Sequence, residues 1–178
     1  MPDRITKVTT KSGDGGTTRL VTGRVHQKGD DQIELVGVLD EANCALGVLV
    51  QFIELKYHDQ LKQIQSRIFD IGAAVATGIP QPVWYAETET ITNATKKLNV
   101  TIEPLTEFVI PGGGQASAHA HVARAKIRHA ERVFWRVASD ELRSSGQGAY
   151  LNRVSDYLFV LSRIVADEEQ IWQPLKPP

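Results

Sequence analysis

One long segment of the sequence is compatible only with a helix. Residues 115–142 contain no proline and no glycine, and their apolar side chains recur at intervals of three or four positions. That spacing places the apolar side chains on one face of an α-helix, whereas a half-buried strand requires strict alternation. We therefore predict one amphipathic helix, which would be about 40 Å long at the usual rise per residue.

Helical spacing of apolar residues recurs outside this segment. It predicts four further helices, at residues 36–56, 58–76, 87–98 and 150–169. Pro80 and Pro82 end the second of them, and a Ser- and Gly-rich break at 144–148 precedes the last. Because no repeat or linker divides the chain, we expect one domain over residues 1–178, an all-α, ferritin-like up-down bundle of five helices at 36–170.

Residues 1–35 differ from the rest of the chain. They hold five glycines and six threonines, a density of flexible and β-branched residues that no helix tolerates. We predict a mostly irregular N-terminal arm, which is either disordered or ordered by a ligand. A short extended piece is also expected at 108–110, closed by Pro111 and a flexible loop of three glycines.

Composition excludes several classes of protein. A formal net charge of −1 gives no indication of nucleic-acid binding. No run of about 18 apolar residues predicts a membrane span, and the N-terminus lacks the apolar core of a secretory signal. The single cysteine, Cys44, falls in an apolar helical pattern, so we expect a small buried side chain without a catalytic role. One cysteine cannot form an internal disulfide, which fits a reducing compartment, the cytoplasm.

Arginines repeat at one-turn intervals along the long helix. Arg124, Arg128 and Arg132 share a face with Glu131. Several forked guanidinium donors directed at one place suit carboxylates and phosphates. The alternative is a solvated basic stripe, since exposed charges at such spacing are common and contribute little to stability.

A second group of candidate phosphate ligands lies in the arm, in the sequence T-T-K-S-G-D-G-G-T-T at residues 9–18. Its glycines let backbone N–H groups turn toward one point, and Lys11 adds a positive charge. Hydroxyl donors come from Thr10, Ser12, Thr17 and Thr18. These are the parts of a phosphate cradle, although a flexible, turn-rich tail has a similar composition. The lysine precedes the glycines, so the segment is not a P-loop of the G-x-x-x-x-G-K-[ST] type.

Four other positions allow two interpretations each. Asp40 and Glu41, near the start of the first predicted helix, either complement the helix dipole or pair with an arginine of the long helix. Asn152 either caps the last helix or reaches a ligand. Phe108 is either a core residue or a gate to a ligand. The histidines of the long helix lack H-E-x-x-H spacing and a cysteine pair, so we expect no zinc site.

Four motifs stand in order along the chain: TTKSGDGGTT, VGVLDEANCALG, FVIPGGG followed by HVARAKIRHAER, and LNRVSDYLFVLSR. In this combination the sequence resembles the PduO-type ATP:cob(I)alamin adenosyltransferases, over residues 5–169. The resemblance implies transfer of the 5′-deoxyadenosyl group of ATP to the cobalt of cob(I)alamin, which gives adenosylcobalamin and triphosphate. It implies Mg²⁺ as the metal and a homotrimer with active sites between neighbouring subunits. It also implies a reductase and an adenosylcobalamin-dependent enzyme as partners. The alternative is a helical bundle that binds a corrinoid or nucleotide without catalysis.

The resemblance further implies roles for individual residues. The ATP-binding positions would be Thr10, Lys11, Ser12, Gly13, Thr18, Lys28, Arg128, Glu131, Arg132 and Asn152. Lys11 and Arg128 would act on the triphosphate, and Mg²⁺ would be held through the ATP phosphates. Phe108 would displace the lower axial ligand of the corrinoid. Arg124 would pair with Asp40 across the subunit interface.

The sequence departs from the family pattern in three places. His129 stands where the family usually has a second successive arginine, and it carries less charge at neutral pH. His26 and Gln27 replace the more basic residues often found before Lys28. Some relatives have a longer C-terminal segment that helps to cover the corrin. This chain ends soon after Trp172, so either Trp172 provides that cover or the cover is absent.

Overall fold

The computed structural model describes Thr9 and residues 11–175, so the predicted ATP ligand Thr10 lies outside the described residues. Five long helices form the body of the molecule, which confirms the expected all-α bundle. In chain order the elements are α1 (Asp31–Val50), a 3₁₀ turn (Leu55–Tyr57), α2 (His58–Thr77), α3 (Trp84–Asn99), α4 (Gln115–Val137), the short α5 (Asp140–Ser144) and α6 (Gln147–Ile164). The bounds of α2 and α3 lie close to the predicted ones.

The long helices pack side by side in the order α2, α1, α4, α6, α3. An ion pair at 2.9 Å between Arg67 Nε on α2 and Glu87 Oε1 on α3 joins the two ends of this row. Fully buried apolar side chains fill the interior: Leu35, Leu46, Ile64, Ile71, Trp84, Ile127, Phe134 and Leu158. The outward surface between α1 and α2, with Asp40 and Phe69, is called the α1–α2 groove, and the outward surface between α4 and α6, with Arg124 and Phe159, is called the α4–α6 groove. The contact between α1 and α4 lies between these two surfaces.

The first and last long helices both begin earlier than predicted. Helix α1 begins at Asp31 rather than at position 36, and its first turn carries acidic side chains that favour a helix N-terminus. Helix α6 occupies Gln147–Ile164 rather than 150–169. Gly146 precedes it with a φ of 95°, a conformation that glycine adopts without strain. Hydrophobic spacing alone does not locate such boundaries.

The long predicted helix at 115–142 is two helices. Helix α4 ends at Val137, because Ala138 has the extended backbone of a strand, with a ψ of 146°. Ser139 then starts α5, and its hydroxyl accepts a hydrogen bond from the Leu142 N–H at 3.4 Å. A serine hydroxyl at this position accepts a hydrogen bond from a backbone N–H group that would otherwise have no partner in the first turn of α5. This capping competes with continuation of the preceding helix.

The N-terminal arm contains a β-hairpin, which corrects the prediction of a mostly irregular segment. Strand β1 (Thr17–Arg19) pairs antiparallel with β2 (Val25–Gln27), with Thr18 opposite His26. The turn closes with a hydrogen bond of 2.8 Å from the Gly23 N–H to the Leu20 carbonyl. The β-branched residues that argued against a helix favour these short strands.

The expected extended piece at 108–110 pairs with the chain beyond α6. Val109 and Ile171 form an antiparallel bridge, and the Trp172 N–H donates to the Phe108 carbonyl at 2.7 Å. The following glycines allow close packing: a Cβ on Gly113 or Gly114 would collide with the Glu168 carbonyl or the Asp167 carboxylate. This segment therefore fixes the C-terminal strand against the N-terminal end of α4.

Cys44 is exposed on α1, so the expectation of a buried side chain was wrong: the residue lies outside the apolar stripe that Leu39, Ala42 and Leu46 form. Within the described part of the chain, no helix combines the length and apolar character needed to cross a bilayer.

Candidate functional site

The α4–α6 groove carries four of the ten predicted ATP-binding residues, Arg128, Glu131, Arg132 and Asn152, together with Arg124. Two contacts define how the helices face each other. The guanidinium carbon of Arg124 lies 5.9 Å from the centroid of the Phe159 ring, and the Trp135 indole lies against Gly148. Both contacts fit one antiparallel alignment of α4 and α6. In that alignment Asn152 on α6 lies at the same height along the helix axes as Glu131 on α4.

Arg128 and Arg132 present free guanidinium groups to this groove. Both side chains are exposed, and no ion pair involving either is found among the described residues. Asp156 is the carboxylate level with Arg128 on α6, but it pairs with Arg153 on its own helix at 3.2 Å. The two arginines therefore remain available to an anionic ligand.

Arg124 lies deeper in the same groove and is short of partners. Its Nε is buried and makes no hydrogen bond to any described residue. Burial lowers the pKa of Arg124, and the nearby Arg128 adds to that shift. One turn earlier, His121 is also buried, and burial followed by the charge of Arg124 lowers its pKa. A partly buried guanidinium without a carboxylate partner among the described residues is suited to an anion from outside the chain.

Asp40, the expected partner of Arg124, lies on another side of the bundle. It is exposed on α1 and lines the α1–α2 groove together with Phe69. Its neighbour Glu41 is the residue that reaches α4, where it accepts a hydrogen bond from Lys126 Nζ at 2.7 Å. Within one chain the structure thus does not bring Asp40 and Arg124 together.

The arm assembles its own part of the predicted site. Ser12, Gly13, Thr17 and Thr18 line a cavity of about 300 Å³. Lys28 closes one side of it, because a Cβ on Gly13 would lie 3.2 Å from Lys28 Nζ. Hydroxyls, an ammonium group and glycine backbone around one small cavity are suited to phosphate oxygens.

Lys11 precedes the cavity residue Ser12 and has an uncommon backbone conformation. Its φ is +59°, in the left-handed region that non-glycine residues seldom adopt. The Asp14 N–H donates to its carbonyl at 3.3 Å, which closes the turn. Such strain is often found where a ligand or a function requires the residue's position.

The arm and the arginine row are separate within one chain. The hairpin lies against α1 and α2: Val21 borders the α1–α2 groove, and Arg24 and His26 lie beside the end of α2 at Thr77. The arginines instead face α6, beyond the α1–α4 contact. The predicted ATP residues therefore form two half-sites, on different sides of the molecule.

Phe108 is exposed, which removes the core interpretation of this residue. Its side chain keeps 72 % of its surface accessible. The only described ring beside it is that of Trp172, with centroids 6.3 Å apart and planes at 54°. An aromatic pair held by paired backbone at the end of the bundle offers an apolar surface to a large flat ligand.

Two aromatic residues of this region, Phe159 and Trp135, were not predicted as site residues, and the contact of Trp172 with Phe108 was not predicted either. Phe159 follows Asn152 by seven positions, and Trp135 follows Arg128 by seven, so helical spacing contained a signal for both. The pairing of Trp172 with Phe108 depends on the bridge between distant segments, which no local pattern shows. Lys126, and to a smaller extent His129, lower the pKa of Glu41, so His129 lies on the α1 side of α4, away from the arginine row.

These features define a helical bundle with two groups of candidate anion ligands and an exposed aromatic pair, and comparison with known proteins gives its family. The cobalamin adenosyltransferase family model matches residues 8–165. The corrinoid adenosyltransferase of Mycobacterium tuberculosis is 35% identical over 186 aligned positions, which cover 98% of this chain and 96% of that protein. The chain belongs to the cobalamin adenosyltransferase family.

Further relatives agree with this assignment. The human corrinoid adenosyltransferase MMAB is 34% identical over 182 aligned positions, covering 93% of this chain and 71% of that protein. A variant of the PduO-type ATP:corrinoid adenosyltransferase from Lactobacillus reuteri, complexed with cobalamin and ATP, superposes with a TM-score of 0.82. It is 24% identical and covers 94% of this chain and all of that one, which shows the same fold.

Proposed function

We propose that this protein transfers the 5′-deoxyadenosyl group of ATP to the cobalt of cob(I)alamin, giving adenosylcobalamin and triphosphate. The observation that carries the proposal is the row of Arg128 and Arg132, exposed and without carboxylate partners, opposite Asn152 in the α4–α6 groove. The names of the relatives support it, because corrinoid adenosyltransferases match nearly the full chain.

The reaction determines which chemical roles the side chains must have. The electron pair of Co(I) attacks C5′ of ATP, a cobalt–carbon bond forms, the C5′–O bond breaks, and its electron pair leaves with the triphosphate. The metal of the substrate is the nucleophile, so no nucleophilic side chain is required. The protein instead holds the triphosphate in line with the attack and stabilises its developing charge, which suits Arg128 and Lys11.

Magnesium would be held mainly by the nucleotide. Among the described residues, no group of three or more His, Cys, Asp or Glu side chains could bind a metal ion. Mg²⁺ often binds through substrate phosphates with few protein ligands, and the hydroxyls of Ser12 and Thr18 fit that mode. When bound, it would neutralise phosphate charge; the arm residues would orient the phosphates around it.

The corrinoid would lie at the exposed apolar end of the bundle. Phe108 is exposed there, and its carbonyl accepts a hydrogen bond from the Trp172 N–H, so its backbone is held in place while its ring is open to a ligand. An apolar wedge that displaces the lower axial ligand makes reduction of Co(II) to Co(I) easier, since axial ligation is a main determinant of a metal's potential. Trp172 extends the same surface.

A homotrimer would unite the two half-sites. The α1–α2 groove is a cavity of about 930 Å³ with mostly apolar walls, and Phe69 beside it is 68% exposed. A neighbouring copy that covers this groove with its α4–α6 face would bring its Arg124 to Asp40 and its arginine row to the arm. The buried, unpartnered Nε of Arg124 supports this pairing.

The cellular setting belongs to the same proposal. A free, exposed Cys44 fits a reducing compartment such as the cytoplasm. Because Co(I) must be generated by reduction, a reductase would supply the electron. An adenosylcobalamin-dependent enzyme would accept the product.

The proposal is tested by mixing the protein with ATP, Mg²⁺ and chemically reduced cobalamin. We expect the Co(I) absorbance to disappear and triphosphate to be released at the same rate. ATP binding without either signal would refute the transfer and favour a non-catalytic corrinoid or nucleotide carrier.

A further inference from the structure

Trp135 is an exposed aromatic side chain on the arginine face of α4. Its side chain is 45% accessible, so part of the indole faces solvent. It follows Arg128 by seven positions and Glu131 by four, so the three share one face. About 10 Å of helix separates Arg128 from Trp135. An aromatic surface thus continues the row of cations toward the C-terminal end of α4.

Contacts with α6 and with its own helix hold the indole in place. Gly148 is buried beneath it: a Cβ there would lie 2.6 Å from Cε2 and 3.0 Å from Cη2 of Trp135, so the contact requires glycine. The ring of Phe134 meets the indole edge to face, with centroids 5.8 Å apart and planes at 82°. A side chain fixed in this way loses little conformational freedom when a flat ligand binds to it.

We propose that Trp135 stacks against the adenine ring of ATP. The inference rests on the proposed function and names the part of the substrate that this end of the groove binds. A nucleoside triphosphate combines a charged tail with a flat heteroaromatic base, and the groove places Arg128 and Arg132 before an exposed indole. Glu131 lies one turn before Trp135 and is partly buried, as is Asn152 on α6, and a carboxylate and an amide suit the ribose hydroxyls.

The test compares ATP, which carries a nucleobase, with inorganic tripolyphosphate, which carries none. Binding of ATP and of inorganic tripolyphosphate, each with Mg²⁺, is measured by calorimetry for the wild type, Trp135→Ala and Trp135→Phe. We expect Trp135→Ala to weaken ATP binding about 10-fold or more, because base–aromatic stacking has that value, and to leave tripolyphosphate binding unchanged. Trp135→Phe should retain most of the affinity for ATP. ATP should also quench tryptophan emission in the wild type and not in Trp135→Phe.

A matched control is Tyr85→Ala, which removes an aromatic side chain that is 72% exposed on α3. It should bind ATP as the wild type does. Three outcomes would overturn the stacking. They are an unchanged affinity of Trp135→Ala for ATP, an equal loss of affinity for ATP and tripolyphosphate, and dissociation of the assembly. Transfer activity is measured separately. If Trp135→Ala weakens ATP binding but the wild type forms no cobalt–carbon bond, the proposed function is refuted while the stacking of Trp135 on adenine is supported.

Discussion

At the scale of single residues, partners distinguish ligand-binding cations from structural ones. Arg136 on α4 lies 3.5 Å from Asp31, and Lys126 contacts Glu41, so both contribute to contacts between α4 and α1. Arg128 lies on the same helix, is exposed, and forms no ion pair with a described residue. The side chain that stability does not require is the one available for a substrate.

Replacing Arg128 with alanine should abolish most turnover. The change removes a charged donor directed at the leaving triphosphate, and loss of one such donor typically lowers kcat by about 100-fold or more. Loss of Co(I) absorbance under saturating ATP measures the effect. Arg136→Ala is the matched control, since it removes an exposed arginine two turns along the helix and should leave kcat near the wild-type value. Near-normal turnover in Arg128→Ala would contradict the assigned role.

His121 should make stability depend on pH. Burial and Arg124 lower its pKa below the ordinary value of 6.5, so the unfolded chain binds a proton more readily than the folded one. Stability is therefore complete above the unfolded pKa and declines as pH falls below about 6.5. Urea unfolding from pH 7.5 to 5 measures this slope, and His121→Gln should flatten it. Identical slopes in the two proteins would show that His121 titrates freely in the folded state.

At the scale of elements, the glycines before α4 determine how the chain end packs. Gly113 has a φ of 79°, and a Cβ there would meet the Glu168 carbonyl. The Asp167 N–H donates to the Gly113 carbonyl at 2.9 Å, so this contact fixes the segment that leads to Trp172. Since Trp172 in turn anchors Phe108, the glycine loop supports the apolar end of the bundle.

Gly113→Ala should lower the free energy of unfolding by about 2 kcal/mol, because it combines a left-handed backbone with a steric clash. Urea denaturation gives the value. Gly15→Ala is the control, since no atom lies within 4 Å of the added Cβ and its φ is not positive. If both variants were equally stable, the packing around Gly113 would not be tight.

At the scale of the whole molecule, the two half-sites face away from each other. The arm lies beside the α1–α2 groove with Asp40, and the arginine row lies in the α4–α6 groove with Arg124. Assembly of a closed ring of copies would therefore create the site rather than merely enlarge it. In this arrangement oligomerisation and activity depend on the same contacts.

In the proposed trimer, Asp40→Ala should weaken assembly and reduce turnover, because the change leaves the partly buried Arg124 of a neighbouring copy without a carboxylate. Sedimentation velocity across a dilution series and the Co(I) assay measure the two effects. Glu41→Ala is the control, since it removes an adjacent carboxylate that contacts Lys126 at the surface of its own chain. A trimer of unchanged stability with unchanged kinetics would reject the pairing.

The sequence by itself determined the five helices and the face that carries Arg124, Arg128 and Arg132, because helical periodicity is a local property that three or four residues reveal. It also contained the parts of the arm's phosphate cradle, since glycine, hydroxyl and lysine chemistry is visible without coordinates. The hairpin and the ends of the helices were missed, because backbone pairing and single capping groups decide them.

Only the tertiary structure decided which groups meet. It placed Phe108 against Trp172, Arg124 against Phe159 and Trp135 over Gly148, in each case joining residues far apart in the chain. It also placed Asp40 in the α1–α2 groove, apart from Arg124 of the same chain. Helix packing sets these distances through the shape of the whole core, and no spacing along one helix records the position of another.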